Sequence, residues 1–270
     1  MGIITISRGS YSKGKEIAQS LAQKLGYECI SREILLETSK EFNIPEVKLM
    51  NALEDAPSVF ERLKQDKRKY VAFIREAFLE HIQGDNVIYH GFAGHYFTKN
   101  IQNVLKIRII ANINYRIKYV MKKENVSKEK ARTILFKIDA GRLKWGKYLY
   151  GIDTNSPELY DIVLRIDCLN VNDSVETLYD IAKCPCFQTT PESKQKLKDM
   201  LLAARVYSIL VDKFPYAKVD SNDGVVLVTI ESSLSYQEKI ADKIENLLKN
   251  VDGIKSVKTN VIPFNIFSNV

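Results

Sequence analysis

At 270 residues with 45% hydrophobic content, the chain can build one large domain, or one with a smaller companion, around a packed core. No apolar run approaches the roughly 20 residues needed to span a bilayer. The first strand-like run begins at Ile3 without a basic leader, so the sequence reads as cytoplasmic, with no membrane span and no signal peptide. Its four cysteines, Cys29, Cys168, Cys184 and Cys186, lack zinc-site spacing and read as reduced thiols.

Taken in chain order, Ile3-Ile4-Thr5-Ile6-Ser7 is a short β-branched strand. Gly9-Ser10-Tyr11-Ser12-Lys13-Gly14-Lys15-Glu16 follows, reading G-x-x-x-x-G-K, and 14–25 reads as a helix ending at Gly26. A loop of this kind turns backbone N–H groups toward a phosphate, and the helix start adds partial positive charge. Lys15 stands where a lysine reaches the outer phosphates; Glu16 stands where Ser or Thr would hold Mg²⁺. Further strands are expected near Tyr27–Ile30, Asn86–His90, Leu105–Ala111 and Asp161–Ile166, with helices at 31–42, 46–54, 66–82, 114–123 and 128–145. Strands alternating with helices predict a parallel sheet covered on both faces. Ligands then sit beyond the carboxyl ends of the strands, which gathers 8–15, 91–94 and the strand end at Ala111 around one crevice. His90, beside Gly91, is the histidine expected nearest to it.

The net charge of +7 is concentrated: residues 113–147 hold eleven Lys/Arg and three Asp/Glu. Such a basic helical pair can close over polyphosphate, bind nucleic acid or form a solvated face. Nucleic acid is the least favoured partner, because only 145–150 interleaves aromatics with basic residues. After Ala182, the two prolines of 184–191 read as a linker. The order then changes to helix 193–214, strands 217–220 and 225–231 joined through Asn222-Asp223-Gly224, helix 236–249 and strand 254–262. The expected organisation is a first domain at 1–182 and an α-β-β-α-β domain at 193–270 that folds on its own. The tail carries no phosphate loop or catalytic cluster, so it reads as a module for a protein or small-molecule effector.

Several short pieces, in order, resemble the cytidylate kinase-like family of P-loop phosphotransferases: Ile3-Ile4-Thr5-Ile6-Ser7-Arg8, Gly14-Lys15-Glu16-Ile17-Ala18, Ser31-Arg32-Glu33-Ile34-Leu35, Glu54-Asp55-Ala56-Pro57-Ser58, Val87-Ile88-Tyr89-His90-Gly91, Tyr115-Arg116-Ile117-Lys118, Lys137-Ile138-Asp139-Ala140-Gly141-Arg142 and Tyr160-Asp161-Ile162-Val163. They span about 1–182. Asp223-Gly224-Val225-Val226 and Val251-Asp252-Gly253-Ile254 resemble a BON domain. The implied fold is α/β, a P-loop kinase-like parallel sheet flanked by helices plus the small C-terminal domain. The implied activity is transfer from ATP to a nucleoside monophosphate, CMP by resemblance, with Mg²⁺ brought by the ATP. Tyr11 and Lys13 occupy positions where this family usually has glycine, whose freedom at φ > 0 lets the backbone approach phosphate. Phe92 replaces an arginine that commonly follows Gly91.

The residues 10–16 are the expected nucleotide cradle, with Lys15 as phosphate clamp against the plainer reading of a first-turn lysine. Arg132, Asp139 and Arg142 share a helix face, seven and three residues apart. The resemblance makes them a lid in which both arginines close over phosphates and Asp139 orients Arg142; otherwise they form an ordinary surface pair. Arg116 and Lys118 could extend the lid. Arg32 is expected at the acceptor phosphate, with Arg8 and Asp161 as further substrate contacts. A competing class is a catalytically weak nucleotide-binding regulator whose tail binds a partner; the altered loop and Phe92 favour it, while Lys15, Asp139 and Arg142 favour the kinase.

Overall fold

A computed structural model describes residues 2–31, 67–91, 94–99, 101–167 and 169–263. Arg32, Phe92 and the helices expected within 32–66 lie outside them. Chain contacts group residues 1–64 with 84–193 in one compact unit, and 65–83 with 194–270 in a second.

The first unit is built on five parallel strands, β1 (Ile3–Arg8), β2 (Glu28–Ile30), β3 (Val87–His90), β4 (Val104–Ile110) and β5 (Ile162–Arg165), in the order β2-β3-β1-β4-β5. The central strand β1 pairs with β3 and β4, Arg8 lying opposite Ile109. Alternation sorts its side chains. Ile4 and Ile6 enter a core with Leu105, Ile107 and Ile109 of β4. Thr5 and Ser7 face the other way. The core is closed by α1 (Gly14–Leu25), whose Ile17, Ala18, Leu21 and Ala22 are buried at helical spacing, and by α6 (Val171–Ala182). Burying each large aliphatic side chain contributes about 1.5–3 kcal/mol relative to exposure. The sequence reading had no helix at α6. Its signal was Asn170-x-x-Asp173, a capping box in which each side chain meets the other residue's backbone N–H.

A short turn of helix, α3 (Gly94–Phe97), lies against β1 on the Thr5 face; a Cβ on Gly94 would sit 3.2 Å from Thr5 Cβ. The helices α4 (Ile113–Glu124) and α5 (Lys128–Tyr150) form a hairpin with their own small core, Ile117 and Val120 against Ala131 and Leu135. The segment after α6, expected to be a linker, packs on this unit. Phe187 joins the core, Thr189 donates to Asp85 (2.9 Å), and Gln188 donates to the Ala182 carbonyl (2.8 Å). Its prolines start helical turns: Pro185 opens a 3₁₀ turn and Pro191 opens the next helix, positions where a missing N–H is harmless.

The second unit holds α7 (Pro191–Leu210), of which all but the first turn belongs here, then β6 (Lys218–Asn222), β7 (Val225–Glu231), α8 (Gln237–Leu248) and β8 (Ser256–Ile262). β6 and β7 are antiparallel, β7 and β8 parallel. Asp223 and Gly224 both take positive φ (47° and 80°), the two-residue hairpin turn that Asp-Gly favours. Val226, Val228 and Ile230 pack on Val206 and Leu210 of α7 and on Ile244 and Leu248 of α8. To this unit belongs α2 (Lys67–His81), an element from the middle of the first domain's sequence. Lys69 pairs with Asp212 (2.7 Å), Arg205 with Glu80 and with Glu76 (3.9 Å), and Gln83 donates to the Leu197 carbonyl (3.1 Å).

Candidate functional site

The phosphate-type loop leaves β1 at Arg8 and enters α1 at Gly14. Gly9 N–H donates to the Ile109 carbonyl (2.9 Å), and the buried Ser12 hydroxyl donates to the carbonyls of Gly9 (2.9 Å) and Ile109 (3.2 Å), fixing the loop to the end of β4. Tyr11 and Lys13 take the left-handed conformation, φ 52° and 55°, where the resemblance expects glycine. The loop therefore keeps a glycine-type path with two β-carbons, at a strain of about 1–2 kcal/mol each. Gly14 has no such latitude, since a Cβ there would lie 2.7 Å from Arg8 Cβ. Lys13, the N-cap residue of α1, makes no side-chain cap hydrogen bond, and unpaired amides of a helix start of this kind can meet an anion. Lys15 is exposed in the first turn, and Glu16, also exposed, lies 3.4 Å from Lys13 Nζ.

Tyr11 is held from outside the loop. Its ring packs with the α4–α5 core, tilted 6.1 Å from the Tyr119 ring and under Lys123 Nζ at 5.3 Å. Burial and the facing Glu124 carboxylate, 3.4 Å from the hydroxyl, push the phenol pKa up. Beside it, Ser10 Oγ donates to Asp139 Oδ1 (2.6 Å), while Arg116 Nη2 donates to Ser10 Oγ and pairs with Asp139 Oδ2 (2.6 Å). Arg116 is buried, and its Nε has no hydrogen-bond partner among the described residues. Arg142 Nη1 donates to the Arg8 carbonyl (2.7 Å). Burial, then the charge of Arg8, lowers Arg142 to about 10; Asp139 opposes the shift, while Arg116 and Arg108 add to it. Asp139 thus clasps Arg116 and the loop serine, and it reaches Arg142 only through its field.

The remaining expected residues are placed differently. Arg132 is exposed, 5.4 Å from the Phe136 ring centroid, and about 15 Å along α5 from Arg142. Asp161 stands at the amino end of β5, about 10 Å along the strand from the loop level. There it accepts from Lys106 N–H (2.8 Å) and donates its own N–H to the Lys106 carbonyl (2.8 Å), a strand-start contact. Lys118 is exposed.

A second polar layer lies under the loop. Arg108 of β4 donates to Ser7 Oγ and to the Tyr160 hydroxyl, which also donates to the Thr154 carbonyl (2.9 Å). His95, rather than His90, sits against this layer, 4.8 Å from the Tyr160 ring. Both of its ring nitrogens are buried, without hydrogen-bond partners among the described residues. Burial, followed by the Arg108 and Lys106 charges, lowers His95 to about 4. Sequence reasoning passed over Arg108; its signal was Lys106-Ile107-Arg108-Ile109, an alternation placing two charges on one face of an otherwise apolar strand. Among the described residues no three His, Cys, Asp or Glu side chains group as metal ligands. No described helix is long and apolar enough to cross a membrane.

A loop at a helix start, at the carboxyl ends of a parallel sheet and beside several arginines, is an arrangement for binding phosphate groups. Residues 3–167 match the sequence profile of the cytidylate kinase-like family. Cytidylate kinase of Methanopyrus kandleri is 24% identical over 175 residues, covering 60% of this chain and 83% of that protein. An uncharacterized protein from Eubacterium ventriosum has a similar structure, with a TM-score of 0.53 and 18% identity over 68% of this chain and 99% of that one. Shikimate kinase from Bacteroides thetaiotaomicron is more distantly similar, with a TM-score of 0.42 and 10% identity over 67% and 98%. With the family profile covering more than half of its length, the chain belongs to the cytidylate kinase-like family.

Proposed function

We propose that this chain is an ATP-dependent phosphotransferase acting on a nucleoside monophosphate, with CMP the first acceptor to test. The observation that supports the reading is the loop itself: Tyr11 and Lys13 hold positive φ, the backbone conformation that glycine would give a phosphate cradle. The uncapped α1 amides and Lys15 would hold the ATP phosphates. Arg32, Arg8 and Arg142 would meet the acceptor phosphate, and Arg142, with Arg116, would also face the charge that develops during transfer. The γ-phosphoryl leaves the bridging oxygen of ADP and bonds to an acceptor phosphate oxygen, a reaction governed by positioning and electrostatics. Arg132, engaged with Phe136, and Asp161, engaged with Lys106, stand apart from this group.

Among the described residues, the side chains around the loop do not fit a dedicated Mg²⁺ site. Glu16 replaces the hydroxyl ligand and faces Lys13, and Asp139 is occupied by Arg116 and Ser10. Mg²⁺ would therefore arrive with ATP, and no step here is assigned to it. A second reading, a nucleotide-binding regulator of weak activity, is favoured by the same Glu16 and by the engagement of Ser10 and Tyr11 with α4 and α5. In either reading the BON-like tail would bind a partner or effector.

A panel of nucleoside mono- and triphosphates, scored for thermal stabilisation and ADP release, tests the proposal. Ligand at a hundredfold excess over Kd stabilises by about 2.7 kcal/mol. The kinase reading expects stabilisation by ATP and CMP with ADP release on mixing. Stabilisation without release selects the regulator, and no stabilisation by any nucleotide rejects both.

A further inference from the structure

β4 carries two cations on the polar face of the sheet, Lys106 opposite Thr5 and Arg108 opposite Ser7. Lys106 is accounted for: its Nζ donates to the carbonyls of Val104 (3.0 Å) and Ile101 (3.4 Å) and lies 3.8 Å from Asp161. Among the described residues Arg108 has only neutral partners. Its Nη1 donates to Ser7 Oγ (3.4 Å) and the Tyr160 hydroxyl (3.3 Å), both long, and its Nη2 to Asn155 Oδ1. Its guanidinium lies 5.5 Å from the Tyr160 ring centroid. Among the described residues no carboxylate is within ion-pair distance of Arg108 or of Arg142, whose hydrogen bond goes to a carbonyl.

A partly buried guanidinium held by neutral acceptors keeps its charge available to an anion, and its fork matches phosphate oxygens in pairs. Ser7 and Arg8 are consecutive, so Arg108 and Arg142 grip neighbouring residues at the carboxyl end of β1, immediately before Gly9. Burial first, with the field of Arg108 as a lesser cause, lowers both Arg142 and His95, which places the three groups within electrostatic reach of one another.

We infer that Arg108 and Arg142 are the two arms of a clamp for a phosphate oxyanion at the carboxyl end of β1, with Tyr160, Ser7 and Asn155 setting the angle of Arg108. Resting on the function proposed above, the phosphate is that of the acceptor nucleoside monophosphate. Arg108 is then a substrate-binding residue that separates a phosphorylated acceptor from a free nucleoside.

The test is calorimetric titration of the full chain at constant ionic strength with inorganic phosphate, CMP and cytidine. Arg108→Gln is expected to weaken phosphate and CMP binding by about tenfold or more, the scale of a lost charge-assisted hydrogen-bond pair, and to leave cytidine unchanged. Arg108→Lys should recover part of the loss, because it keeps the charge and loses the fork. Tyr160→Phe, which keeps the ring and removes the aiming hydroxyl, should weaken phosphate binding less than Arg108→Gln. A wild type that binds no phosphate, or an Arg108→Gln chain that binds it as the wild type does, overturns the clamp. If Arg108→Gln does not fold, unchanged phosphate affinity in Tyr160→Phe overturns it instead. Phosphate binding that depends on Arg108, with no CMP binding, upholds the clamp and rejects the acceptor reading.

Discussion

Replacing Tyr11 separates two effects that a glycine-type loop normally combines. Its φ of 52° strains any residue with a β-carbon, and its ring is anchored among Ile117, Val120, Ala131 and Leu135. Removing the half-buried ring costs about 1–1.5 kcal/mol in apolar burial, about 0.5–1 for the pairing with Tyr119 and about 0.5 for the Lys123 cation over its face. The hydroxyl contact with Glu124, long and exposed, adds little. Tyr11→Ala loses the anchor, about 2–3 kcal/mol by these figures, and keeps the strain. Tyr11→Gly loses the same anchor but relieves about 1–2 kcal/mol of left-handed strain, against about 0.5–1 of extra chain entropy. Glycine should therefore be the more stable of the two by about 0.5–1 kcal/mol, and Tyr11→Phe should stay near wild type. Urea denaturation of the three variants, with thermal midpoints as a second probe, resolves that order at about 2–4 °C per kcal/mol. An alanine variant at least as stable as the glycine variant would refute the left-handed assignment; two variants as stable as wild type would refute the anchor.

Further outcomes follow from other parts of the molecule. Arg142→Ala should lower turnover more than ATP affinity, since charge at the moving phosphoryl is greatest in the transition state; steady-state kinetics beside nucleotide titration checks this, and unchanged turnover rejects the role. Ending the chain at Ser193 removes the Glu80–Arg205 and Lys69–Asp212 pairs of α2 and the bond of Gln83 just beyond it, so the fragment should melt lower and bind a hydrophobic dye; an unchanged midpoint would show that α2 does not depend on the tail. His95, lowered to about 4 from 6.5, takes a proton more readily unfolded than folded between those values. Stability should thus fall as pH drops from about 6.5 toward 4 and level off below, by on the order of 3 kcal/mol. His95→Phe should flatten that part of the curve, and a slope identical to wild type would sink the assignment.

The elements of both units were largely legible in the sequence because each rests on local information: β-branched runs for β1 and β4, helical spacing for α1, α5 and α8, and Asp223-Gly224 for the hairpin. The α6 helix was equally readable from its capping box. The linker misled because Pro185 and Pro191 begin helical turns, which sequence alone does not separate from a break. The grouping of α2 with the tail was not legible, because its partners Arg205 and Asp212 lie more than a hundred residues away. The loop was recognised by its spacing, but not how Tyr11 and Lys13 could replace glycine, since the anchor for Tyr11 comes from α4 and α5. Asp139 and Arg142 were singled out from their helix face; that Asp139 would turn to Arg116 and Ser10 depended on the tertiary approach of α4.

Phosphoryl transfer at the 9–15 loop is read by ³¹P NMR of ATP and CMP incubated with the full chain, wild type or Lys15→Ala. Wild type should convert them to ADP and CDP in equal amounts. Lys15→Ala, folded but stripped of its phosphate clamp, should bind ATP weakly and form neither product. Bound ATP that never yields CDP or another nucleoside diphosphate across the monophosphate panel, or a Lys15→Ala chain as active as wild type, would contradict it.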